Sequence, residues 1–82
     1  MKWINDSKQN PGYSVYYATP DRDPNILYVI RKKRKTADFS PVGWRVFVRT
    51  NKAEALRTIY IAESLKEAKA YVEDWEKQLD VV

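Results

Sequence analysis

The chain has 82 residues, 44% of them hydrophobic and 13% aromatic, which bounds it to one small domain with a modest core. It contains neither cysteine nor histidine. Disulfides, thiolate or imidazole metal sites, haem and iron–sulfur centres therefore lack their ligands, and the commonest general bases and nucleophile pairs are missing too. No metal, no cofactor and no catalysis are expected, and the net charge of +4 favours polyanionic partners.

The opening "MKWINDSKQN" lacks the apolar run of a signal peptide, and no stretch approaches a membrane span. A cytoplasmic location away from membranes is the expectation, in the host cytoplasm for a phage-encoded chain. Residues 1–12 are polar apart from Trp3 and Ile4 and end in the turn signal Asn10-Pro11-Gly12. Trp3 and Ile4 read either as a short edge strand or as a lid on the core. "YSVYYAT", 13–19, is the first strand, with Tyr13, Val15 and Tyr17 sharing a face. "PDRDPN", 20–25, is a loop. "ILYVIRK", 26–32, is apolar on both faces and reads as a central strand.

The basic run "RKKRK", 31–35, then leads into a connector, 36–43, with Phe39 as a candidate anchor. "WRVFVRT", 44–50, places Trp44, Val46 and Val48 on one face and Arg45, Phe47 and Arg49 on the other. After the turn "NKAEA" comes "LRTIYIA", 56–62, whose Ile59 and Ile61 oppose Thr58, Tyr60 and Ala62. Its short connection makes it the hairpin partner of the preceding strand.

The last element, 64–79, is an amphipathic helix. Ser64 and Glu67 form the S-x-x-E capping box, in which Glu67 is expected to return a bond to the amide of Ser64. Leu65, Ala68, Val72, Trp75 and Leu79 make one apolar stripe. The carboxylates Glu63, Glu67, Glu73, Asp74, Glu76 and Asp80 read as a solvated face paired with Lys66, Lys69 and Lys77 rather than as metal ligands.

Together these elements predict a single α+β domain over 1–82. Three to four antiparallel strands form a sheet packed on one face by a single C-terminal α-helix. With Trp44, Val46, Ile59 and Ile61 under the helix, and Trp44 expected to touch Trp75, the open face presents Arg45, Phe47, Arg49, Thr58 and Tyr60. Tyr16, Tyr28 and Lys32 join it if the register of the earlier strands agrees. Guanidinium groups on such a face suit phosphates and guanine edges, and rings suit bases. The bland alternative is a solvated wall of cross-strand pairs. Arg31, Lys32, Lys33, Arg34 and Lys35 in a loop beside the sheet suit a phosphate backbone. They also resemble a nuclear-localisation string, and equally serve as a solvated strand end that discourages edge pairing. Acid gathers on the helix and cations on strands and loops, which would turn the sheet toward a polyanion.

From 43 to 74, "GWRVFVRT…RTIYIAESLKEAKAYVED" resembles the AP2-type domain and the related arm-binding N-terminal domains of phage and transposon integrases. That resemblance implies a three-stranded sheet entering the DNA major groove with the helix behind it, and Arg45, Phe47 and Arg49 at base- or phosphate-facing positions. It also implies a small phage or mobile-element protein. The candidate nucleic-acid-binding residues are thus Arg31, Lys32, Lys33, Arg34, Lys35, Arg45, Phe47, Arg49 and Tyr60. DNA, double-stranded by preference, is the expected partner. A protein-interaction or inhibitor module acting on a host protein is the second expectation, because exposed Tyr and Arg suit interfaces.

Overall fold

The computed structural model describes residues 1–34, 36 and 43–79. Lys35, Phe39 and Asp80, and the side chain of Leu79, lie outside the described residues. Five strands form one antiparallel sheet in sequential order: β1 (Ile4–Asn5), β2 (Tyr13–Ala18), β3 (Leu27–Lys33), β4 (Trp44–Arg49) and β5 (Arg57–Ala62). One helix, α1 (Leu65–Leu79), packs on β3, β4 and β5. The α+β class, the central place of β3 and the single C-terminal helix agree with expectation. The strand count does not, because β1 adds a fifth.

β1 forms because the turn at Asn10-Pro11-Gly12 folds the chain start back along β2. Gly12 takes a positive φ of 84° there. Ile4 then pairs with Tyr17 and Asn5 with Tyr16. The Asp6 amide donates to the Val15 carbonyl at 2.9 Å, and the Ser7 hydroxyl accepts from the Val15 amide at 2.9 Å. Both readings of the N-terminal pair hold in part: Ile4 is in the edge strand, and Trp3 packs against the core. The segment widens the sheet sideways.

The register divides the sheet into two faces. Under the helix lie Tyr28, Ile30, Val46, Val48 and Ala62, closed over by Ala68 and Val72. Tyr28, Ile30, Val46, Ala68 and Val72 are fully buried. Each large apolar side chain so enclosed contributes roughly 1.5–3 kcal/mol. The small Ala68 side chain admits a close approach of helix to sheet. The helix starts as a capping box, with the Glu67 amide donating to the Ser64 hydroxyl at 3.1 Å. The return bond differs from expectation, because the Glu67 carboxylate accepts from the Glu63 amide at 3.0 Å, not from Ser64.

Glu76 is a second departure. It is 8% exposed and lies on the packed side of α1, where a solvated carboxylate was expected. It accepts two bonds from Arg22, at 2.7 and 2.8 Å, and one from the Tyr28 hydroxyl. This fork of guanidinium and phenol satisfies the carboxylate away from water. Trp44 and Trp75 both pack on the core, but their ring partners are Tyr16 and Tyr71 respectively. No helix among the described residues is long and apolar enough to cross a membrane.

Candidate nucleic-acid interface

Pairing and strict side-chain alternation define the face away from α1. One row runs Ile4, Tyr17, Val29, Phe47, Thr58 across all five strands. The next runs Val15, Arg31, Arg45, Ile61. Tyr13 stands beside Lys33, and Leu27 beside Arg49. These positions include four cations and no carboxylate.

The structure sorts the predicted residues. Arg31, Lys33, Arg45, Phe47 and Arg49 share the open face. Lys32 does not. The run 31–33 belongs to β3 and not to a loop, so alternation sends Lys32 to the helix side. Its Nζ sits 5.7 Å from the Trp44 ring centroid. Arg34 follows the strand. Its amide donates to the Gly12 carbonyl at 2.8 Å and its guanidinium reaches the Ser7 carbonyl at 3.4 Å. Tyr16 and Tyr28 also fall on the helix side, since they pair with Ile30 and Val48.

Tyr60 is a correction with a clear cause. Phe47 pairs with Thr58 but Val46 pairs with Tyr60, so Ile59 is an extra residue in a β-bulge. The insertion reverses the alternation for the rest of β5. Tyr60 therefore lies on the helix side, stacked on Tyr71 at 4.1 Å with planes 5° apart. It donates to Glu67 at 2.7 Å. That bond raises the Tyr60 hydroxyl above its ordinary range and holds Glu67 below the usual carboxylate range. Ile61, expected under the helix, is 52% exposed on the open face.

Two residues that sequence reasoning left unassigned belong to the site. The Arg31 guanidinium lies 4.9 Å from the ring centroid of Tyr13 and 4.9 Å from that of Phe47. Tyr17 joins the central row beside Val29. The period-2 pattern of β2 carried both tyrosines; only the register with β3 was missing. Val15 and Val29, although away from the helix, are buried at 7% and 9% exposure. In the paired rows Tyr17 and Phe47 flank Val29, and the long Arg31 side chain flanks Val15.

Electrostatically the face is one-sided. Arg31 and Arg45 stand directly opposite each other across β3 and β4, and both are exposed. Like charges so placed destabilise a sheet. The Arg22–Glu76 ion pair is remote from this face. Arg49 has its Nε enclosed with no acceptor among the described residues. Gly43, immediately before β4, has φ +83°, and a Cβ there would meet Ile61 Cγ2 at 2.6 Å and the Ala62 carbonyl oxygen at 3.1 Å. This glycine lets β4 approach β5 closely enough to bring Arg45 beside Ile61.

Comparison of the chain with protein-family models, curated proteins and solved structures finds no match.

Proposed function

We propose that the protein binds DNA, without catalysis, through the open face of its sheet. One observation carries the reading. Arg31 and Arg45 oppose each other on a face whose aligned positions contain no carboxylate. Alone, this arrangement costs free energy; against a polyanion the same charges become attractive. Lys33 and Arg49 extend the cationic surface along β3 and β4. The acidic residues Glu67, Glu73, Asp74 and Glu76 lie in the opposite layer beside Lys66, Lys69 and Lys77, so these carboxylates are kept off the face offered to the phosphates. The AP2-type resemblance of 43–74 points the same way.

The test is a fluorescence-anisotropy titration with labelled duplex at 50 and 200 mM salt. Steep salt dependence is expected, and each phosphate-contacting cation removed should flatten the log–log slope by about 0.9. Arg45→Ala with Arg49→Ala should therefore flatten it by about 1.8 if both touch phosphate. Absence of binding at 50 mM salt overturns the reading. A second reading, a protein-interaction or inhibitor module, draws on Ile61 and Ile4, which are 52% and 44% exposed at opposite margins of the open face. Binding of a protein partner that Ile61→Ser weakens and added salt does not is its signature.

A further inference from the structure

Resting on the DNA-binding reading, we infer that the face is built for a duplex and that Arg31 is the residue that turns single strands away. Proteins that hold single strands do so by offering ring faces on which unpaired bases stack. The open face has rings, but Arg31 lies 4.9 Å from the ring centroids of both Tyr13 and Phe47. A base can stack on that side of either ring only by displacing the guanidinium. Cation–π attraction to two rings, together with the stem packed beside Val15, holds it in place.

What remains accessible is charge set at intervals. Arg45 and Arg49 are four residues apart on β4, a separation of roughly 13 Å at strand rise, close to the ~12 Å width of a major groove. Phe47 projects between them. On β3, Arg31 stands beside Arg45 about 5 Å away, Lys33 lies beyond it, and Leu27 stands beside Arg49. A rigid two-stranded ribbon with cations at these intervals fits a structure whose phosphates are themselves rigidly spaced. A flexible single strand gains little from such spacing and finds one side of the Tyr13 and Phe47 rings occupied.

The experiment compares one labelled 16-mer as duplex and as single strand, in anisotropy titrations at 50 and 200 mM salt. The wild-type chain should favour the duplex by at least tenfold. Arg31→Met keeps the stem and removes the guanidinium. It should weaken duplex binding and strengthen single-strand binding, so that the preference falls at least tenfold. Adding Tyr13→Leu and Phe47→Leu to Arg31→Met should abolish the single-strand gain. Should Arg31→Met fail to fold by circular dichroism, Arg31→Gln is read in the same way, and a duplex preference that stays unchanged or grows overturns the inference. A wild-type chain that binds single strands as tightly as duplex, with the usual salt dependence, overturns the inference and leaves the DNA-binding reading standing. A wild-type chain that binds neither overturns both.

Discussion

The buried fork at Glu76 supplies the sharpest test of how the two layers are held. Replacing Glu76 with Leu keeps the volume and removes the carboxylate that joins Arg22 to Tyr28. The Tyr28 side chain is fully buried, so its O–H donor loses its acceptor and is left orphaned beside the Arg22 guanidinium, at a cost of about 1–3 kcal/mol. Arg22 loses its fork as well, but its side chain is 36% exposed and rehydrates, so this part adds only about 0.5–1 kcal/mol. Glu76→Leu should then destabilise by roughly 2–3 kcal/mol, and lower Tm by on the order of 10–20 °C for a domain of this size. Tyr28→Phe alone removes one bond and should cost about 1 kcal/mol. In the Glu76→Leu background the same change removes the orphan, so it should be neutral or stabilising. Urea unfolding of the two single variants and the double variant, followed by circular dichroism, reads the cycle. If the double variant equals the sum of the singles within about 0.5 kcal/mol, the two side chains are not coupled and the account of the fork is wrong.

The same fork sets the pH response. Arg22 and the Tyr28 hydroxyl hold Glu76 below its ordinary range, so its contribution is present above the unfolded carboxylate value near ~4.3 and fades as pH falls through the lower folded value. Urea midpoints from pH 7 to 2 should show this loss, and Glu76→Gln should flatten it. Burial and the neighbouring carboxylate push Tyr28 above its range. Its contribution is therefore intact below ~10 and lost as pH rises through the raised value, so Tyr28→Phe should remove an alkaline limb of the stability profile. Gly43→Ala meets both a left-handed backbone and Ile61 Cγ2, and should cost about 2–4 kcal/mol in the urea midpoint analysis. A loss below about 0.5 kcal/mol would deny the close approach of β4 and β5. Arg49→Met removes an enclosed donor without an acceptor; its stability should match or exceed that of wild type while duplex binding weakens, since an orphaned donor costs about 1–3 kcal/mol.

Much of the architecture is legible in local pattern. Trp44, Val46 and Val48 alternate with Arg45, Phe47 and Arg49, and that alternation alone assigns the faces of β4. Ser64 and Glu67 mark the helix start. β1 escapes such reading because two residues are too few to show a period, and its existence depends on a turn that returns it to β2. Glu76 escapes for a different reason. Its partners Arg22 and Tyr28 are 54 and 48 positions away, and no local signal separates a carboxylate that will meet a guanidinium from one that will meet water. The Tyr13–Arg31–Phe47 cluster needs three strands in register. The residues were visible in sequence, but their meeting was not.

The bulge at Ile59 shows how a single residue sets the chemistry of a whole face. With unbroken pairing beyond Phe47–Thr58, Tyr60 would stand opposite Arg45 and Ile61 opposite Trp44. The open face would then carry a ring beside its second arginine, and the helix would rest on an isoleucine. The inserted residue exchanges these roles. Tyr60 goes under the helix, where its ring stacks on Tyr71 and its hydroxyl binds Glu67 at the first turn of α1. Ile61 takes the outer position beside Arg45. Arg31 is thereby the arginine held between two rings, while Arg45 has an aliphatic neighbour that offers no hydrogen-bond acceptor. A guanidinium in that setting keeps its donors for groups outside the molecule. On the DNA-binding proposal, Arg45 is therefore expected to contribute more to binding than the clustered cations of 31–34.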